Sequence, residues 1–280
     1  MKKAFDITDG LVVNLHYTDA CNYRCRFCHS HFKPSPLSLT DWKHIIDGIA
    51  REVRIRRFNL AGGEPLASPY IQPLIDHIHS LGIDCSIITN GSLLTPEFIR
   101  RNRNKLSMIG ISVDAVSRSG NLAIGRANAA GRTLSEARLA ELAREIHADG
   151  ITLKINTVVN ALNAETDFSD LIGELKPERW KILRMIHIDG ANDFGRELLV
   201  TDGQYREFVR RHRALSPVAE DTDDIIHAYI VVNPDGRLID NSNGRYRIGK
   251  SLLSNSFADE LQRIGLNVDK YLKRYRTAAA

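Results

Sequence analysis

Three cysteines crowd one stretch of the chain, Cys21-Asn22-Tyr23-Arg24-Cys25-Arg26-Phe27-Cys28. The spacing C-x3-C-x2-C puts three thiolates on one short loop, within reach of a single metal centre. Three thiolates leave an iron–sulfur cube one iron short of full protein ligation, and an open iron can bind and activate a small molecule. A partial zinc site completed by His29 or His31, or a set of buried free thiols, would use the same residues. The fourth cysteine, Cys85, lies in the apolar run Asp84-Cys85-Ser86-Ile87-Ile88 and reads as core.

A second pattern lies in the strand-like segments. Residues i and i+2 of a strand share a face. Asn14 and His16, Arg57 and Asn59, Lys154 and Asn156, and Arg179 and Lys181 form four such polar pairs. The residues between them, Leu15, Phe58, Ile155 and Trp180, are apolar and would face covering helices. One polar pair can sit at a solvated strand end; four on four strands point to a polar interior. Buried cations without partners cost several kcal/mol each, so such an interior calls for an anion. A nucleoside triphosphate has the charge, and its phosphates suit Arg and Lys.

The elements that must position these groups alternate between strand and helix. Strands are expected at 11–17, 54–60, 83–89, 106–113, 151–159 and 180–188. Helices are expected at 40–53, 69–81, 96–104, 135–149, 167–175 and 202–214, and a polar, Gly-rich loop near 114–134. Strand–helix units with short connections predict a parallel α/β fold, an open or closed barrel. From residue 216 the pattern changes to a hairpin, 229–232 and 237–239 around Pro234-Asp235-Gly236, followed by amphipathic helices. The expected division is therefore a barrel over 1–215 and an extension over 216–280 that packs on it and caps the cavity.

Composition narrows the class. The 280 residues, 43% hydrophobic and 26% charged, can bury a large core. Three crowded cysteines of four fit a metal site in a reducing, cytoplasmic setting better than a disulfide framework. No apolar run reaches membrane-spanning length and no signal peptide opens the chain, so no membrane partner is expected. A net charge of +4 gives no argument for nucleic acid.

Just after the second strand stands Ala61-Gly62-Gly63-Glu64-Pro65. Together with the cysteine loop, this segment resembles the radical SAM superfamily. That resemblance implies a 4Fe-4S cluster on Cys21, Cys25 and Cys28 and S-adenosylmethionine on its open iron. Tyr23, Phe27, Gly62, Gly63, Glu64, Asn90, Ser112, Asp114 and Arg126 match positions around that cofactor. Asn14, His16, Arg57 to Pro65, Asn90-Gly91-Ser92-Leu93, Ile124-Gly125-Arg126, Lys154-Ile155-Asn156 and Arg179-Trp180-Lys181 resemble the viperin family more narrowly, above all its prokaryotic members. The likeness runs from about residue 11 to about residue 275.

It implies a partial (β/α)6 TIM-like barrel that converts CTP, UTP or GTP into the 3′-deoxy-3′,4′-didehydro nucleotide, a chain-terminating antiviral product. Asn14, His16, Arg57, Asn59, Lys154, Asn156, Arg179 and Lys181 would bind the substrate, and Tyr229 would stand beside the sugar as a hydrogen or proton donor. An external one-electron donor, ferredoxin- or flavodoxin-like, or dithionite in vitro, would serve a monomer. Animal members usually carry Lys and Ser where this chain has Arg57 and Ala61. The chain shows no counterpart of their N-terminal membrane-binding helix, and its C-terminal tail ends early.

Overall fold

The computed structural model describes residues 10–30 and 37–276; His31, a candidate zinc ligand, lies outside them. The chain alternates β1 (Leu11–His16), α1 (Leu39–Glu52), β2 (Ile55–Ala61), α2 (Ile71–Ser80), β3 (Asp84–Thr89), α3 (Pro96–Arg101) and β4 (Leu106–Ser112). It continues through α4 (Arg118–Ile124), α5 (Glu136–Ala148), β5 (Thr152–Val159), α6 (Ser169–Leu175), β6 (Arg179–Arg184) and α7 (Asp202–Arg211). The C-terminal part adds β7 (Val218–Glu220), α8 (Thr222–Ile225), β8 (Val231–Val232), β9 (Arg237–Asp240), β10 (Arg247–Ser251), α9 (Phe257–Ile264) and α10 (Val268–Arg276).

All ten strands among the described residues join one sheet, ordered β10-β9-β8-β1-β2-β3-β4-β5-β6-β7. Strands β1 to β6 run parallel, and the end strands do not pair, so the barrel is open. The C-terminal part supplies both edges. Strand β7 pairs in parallel with β6, while β8 pairs in parallel with β1 and turns back through β9 and β10.

The core lies between the sheet and its helices. Leu15, Phe58 and Ile155 are fully buried and Trp180 is 3% exposed, as their alternation with polar neighbours predicts. Cys85 sits in the same core. Helix α1 is capped by Ser38, two residues before Thr40: Ser38 Oγ accepts from the Asp41 amide, and the Asp41 carboxylate accepts from the Ser38 amide. Such reciprocal capping fixes a helix start. Helices α4 and α8 and strands β7 and β10 escaped the sequence reading. Helix α4 sits in the stretch read as loop, where Ser117 caps it and Gly125 ends it in the left-handed region. Strand β7 is three residues long, too short to show a period of two.

Candidate active site

The site occupies the C-terminal ends of the parallel strands, where loops of a β/α barrel converge. The cysteine loop follows β1 and has no regular structure of its own. It is held by its neighbours. Gly63 N donates to Thr18 O at 2.8 Å and Glu64 N to Ala20 O at 2.7 Å. A Cβ on Gly62 would stand 2.2 Å from Thr18 O and one on Gly63 2.3 Å from Ala20 O. These glycines were expected to admit a ligand; their nearest constraint is the backbone of the cysteine loop itself. Arg26 N donates to Ile124 O at 2.9 Å, so the end of α4 grips the loop from the other side. Asn90 Nδ2 donates to Asn22 Oδ1 at 2.9 Å and ties it to the end of β3.

Cys21, Cys25 and Cys28 line one cavity of about 360 Å³. Burial pushes the Cys25 thiol up to about 12, and those of Cys21 and Cys28 upward too. Three half-buried thiols lining one space, with Arg126 Nη1 3.9 Å from Cys25 Sγ, form the donor set of a soft metal centre with room for one more ligand. Beside them Arg126 is clamped: it pairs with Asp114 Oδ2 at 2.7 Å and donates to Ser112 O at 2.7 Å. Asp114 also accepts from Val158 N at 2.6 Å. Tyr23 stands under this guanidinium, 5.9 Å from it.

The same cavity carries Asn14, His16, Tyr23, Phe27, Asn59, Gly62, Gly63, Asn90, Ser112, Asp114, Arg126, Lys154, Asn156, Lys181 and Tyr229 in its walls. Strand register explains this: Asn14 lies beside Asn59, and Asn156 beside Lys181. Asn59 Nδ2 donates to Asn14 Oδ1 at 2.8 Å, Ser86 Oγ to Asn59 Oδ1 at 2.9 Å, and Asn14 Nδ2 to Ile230 O at 3.0 Å. This amide ladder runs from β3 across β2 and β1 to the residue before β8. His16 is lowered to about 4, by burial first and then by His29, and is neutral at neutral pH.

Three expected site residues stand elsewhere. Glu64 is fully buried behind the wall, accepting from Thr89 Oγ1 at 2.6 Å, Asn90 N at 2.7 Å and Leu66 N at 3.1 Å. Arg57 and Arg179 lie deeper along β2 and β6, beside the cavity and outside its lining.

Sequence reasoning missed two charged residues. Glu220 sits 2.5 Å from Lys181 Nζ and 2.9 Å from Arg274 Nη1. The Arg274 guanidinium lies 3.6 Å from the centre of the Tyr229 ring. Lys181 therefore has a partner, which the sequence argument had denied it. No sequence signal marked either residue: Glu220 lies between the expected barrel and the expected hairpin, and Arg274 lies in the region of the expected amphipathic helices. Lys154 keeps the expected character. It lines the cavity with no hydrogen bond or ion pair to another described residue, and burial, then Arg179, lowers it to about 7.

An open β/α barrel with three convergent cysteines after β1 and a glycine-rich brace after β2 defines the radical SAM class. Residues 15–172 match the Radical SAM superfamily, which uses a 4Fe-4S cluster and S-adenosylmethionine. The solved structure of Streptococcus suis SuiB bound to S-adenosylmethionine shares the fold with a TM-score of 0.68 at 14% identity, covering 95% of this chain and 67% of that one. An S-adenosylmethionine-dependent nucleotide dehydratase of Selenomonas ruminantium is 36% identical over 272 residues, 94% of this chain and 98% of the relative. One of Lacinutrix mariniflava is 34% identical over 271 residues, 94% of this chain but 57% of the relative's length. The chain belongs to the S-adenosylmethionine-dependent nucleotide dehydratase family.

Proposed function

We propose that this chain removes water from the ribose of a nucleoside triphosphate (CTP, UTP or GTP), yielding the 3′-deoxy-3′,4′-didehydro nucleotide, an antiviral chain terminator. One observation carries the reading: a single cavity is lined both by Cys21, Cys25 and Cys28 and by Lys154, Lys181, Asn59 and Asn156. A metal-bound cofactor and a polyanion can therefore meet inside it.

Cys21, Cys25 and Cys28 would hold the cluster, and the Gly62–Gly63 segment, Tyr23, Phe27, Asn90, Ser112, Asp114 and Arg126 would surround S-adenosylmethionine. Together these groups, when bound, supply a 5′-deoxyadenosyl radical strong enough to take hydrogen from ribose C4′. The chain's own work is positioning. Lys154 and Lys181 hold the phosphates, which fixes the distance of C4′ from the cofactor end of the cavity. Ile225, Ile239 and Tyr246, from the 216–280 extension, wall the cavity and keep water from competing. The Tyr229 hydroxyl holds a proton beside the sugar. The net change is loss of the C4′ hydrogen atom and of the 3′-hydroxyl, which leaves as water with one proton, and gain of one electron. That electron comes from outside, from a ferredoxin- or flavodoxin-like donor in the cytoplasm, to an enzyme acting as a monomer. No helix among the described residues is long and apolar enough to cross a membrane.

The test is anaerobic turnover of each nucleoside triphosphate, deuterated at C4′, with dithionite as reductant. Deuterium in 5′-deoxyadenosine and a nucleotide that has lost both the C4′ deuterium and the 3′-hydroxyl are expected for at least one base. Cofactor cleavage unchanged by every nucleotide overturns the reading.

A further inference from the structure

Glu220 has no part in the reaction as described, yet it engages three polar side chains beside the cavity. It ends the short edge strand β7, is 4% exposed and lies behind the lining. Its Oε1 meets Lys181 Nζ at 2.5 Å; its Oε2 meets the Tyr229 hydroxyl at 2.7 Å and Arg274 Nη1 at 2.9 Å. Lys181 Nζ also donates to the Tyr229 oxygen at 2.5 Å.

Donor counting fixes the polarity of this group. Burial, then Lys154, lowers Lys181 well below its ordinary range. It faces a carboxylate, however, that Lys181 and Arg274 hold below the usual range despite burial, so the pair is ionic. An ammonium has three N–H donors and no acceptor. One goes to Glu220 and one to Tyr229, leaving one, and Lys181 lines the cavity. Because Lys181 only donates, the phenol oxygen accepts from it, and the phenol proton must then go to Glu220. A single carboxylate thus sets the direction of both neighbours.

We propose that Glu220 is a positioning residue that aims the remaining N–H of Lys181 at the phosphate end of the nucleotide. This rests on the triphosphate reading above. The inference has a distinctive sign. As a bare negative charge near a bound anion, Glu220 opposes binding, and its removal should tighten it. As a positioning group, its removal should weaken binding, because Lys181 loses its fixed direction.

The experiment is calorimetric titration of CTP and of inorganic tripolyphosphate into the reconstituted protein. Glu220→Gln keeps the shape and removes the charge; Glu220→Asp keeps the charge but is too short to span Lys181 and Tyr229 together. Both are expected to weaken tripolyphosphate binding about tenfold or more, the scale of a lost charged hydrogen bond. In turnover, KM should rise more than kcat falls. In a Lys181→Met background, Glu220→Gln should add little. Unchanged or tighter binding by a folded Glu220→Gln overturns the proposal, and if that variant does not fold, the same result with Glu220→Asp does so. A wild-type protein that binds neither probe overturns the triphosphate reading itself, and this inference with it.

Discussion

The hydroxyl of Tyr229 gives its hydrogen bond to Glu220, at 2.7 Å, and not to the cavity. Burial, then the negative charge of Glu220, raises the phenol well above its ordinary range, so it stays protonated throughout neutral pH. Tyr229→Phe keeps the ring and the stacking of Arg274 but removes that proton. The expected outcome is undiminished 5′-deoxyadenosine and much less didehydro nucleotide per cofactor cleaved. Product and 5′-deoxyadenosine should be measured in the same anaerobic quench; an unchanged ratio reduces Tyr229 to a packing residue.

Lys154 makes binding depend on pH. Its ammonium, ordinarily near 10.5, is lowered to about 7 by burial and then Arg179. A bound polyanion raises it again, so binding takes up a proton. Affinity is then full below about pH 7 and falls as pH rises through that value, by at most about tenfold per pH unit. Tripolyphosphate affinity measured from about pH 6 to about pH 9 should show this slope, and Lys154→Arg should flatten it.

The two kinds of basic position separate by energy. Lys181→Ala removes a cation from the cavity wall and should weaken triphosphate binding by roughly 1.5–3 kcal/mol. Arg57→Ala removes one outside the lining and should cost clearly less. Equal losses in calorimetry would put Arg57 in direct contact with the phosphates.

Replacing Cys21, Cys25 or Cys28 with Ala should each abolish the brown iron–sulfur chromophore and cleavage of S-adenosylmethionine. Cys85→Ala should leave both intact, since that thiol is fully buried in the apolar core. Iron content and absorbance after anaerobic reconstitution decide the assignment. Loss of iron in Cys85→Ala alone would overturn it.

His212 predicts an acid limit to stability. Fully buried, it accepts from Phe168 N at Nε2 and pairs through Nδ1 with Phe208 O, an arrangement for neutral imidazole. Burial outweighs the nearby Asp167 and holds its pKa below the ordinary 6.5. The unfolded chain therefore binds a proton that the folded one refuses, so stability should fall as pH drops from about 6.5. Melting temperatures across that range should show the fall, and His212→Gln should blunt it.

The sequence told most where chemistry and period coincide. The cysteine spacing and the strand pairs Asn14/His16 and Lys154/Asn156 carry both a residue type and a repeat of two, which is enough to put parallel strands and one polar face in place. It told least where a residue works through partners remote in sequence. Glu220 reaches Lys181, Tyr229 and Arg274 only because β7 joins β6 and α10 packs beside α8, where Arg274 donates to Asp224 O. Glu64 looked like a ligand because of its motif; its three hydrogen bonds make it a brace. The pairing of β8 with β1, just two residues deep, follows from the amide ladder through Asn14, which no local pattern encodes.

The cysteine loop, finally, is shaped less by its own sequence than by glycines that come up against its carbonyl groups. Gly62 and Gly63 meet Thr18 and Ala20, Gly125 meets Arg24, and an added Cβ on Gly195 would stand 2.1 Å from Arg26 O. These are contacts where a missing methyl group is the functional part. Tolerance to mutation should therefore run opposite to proximity: exposed loop residues such as Arg24 and Arg26 can vary, while a glycine far along the chain cannot gain a single carbon without unseating the thiols.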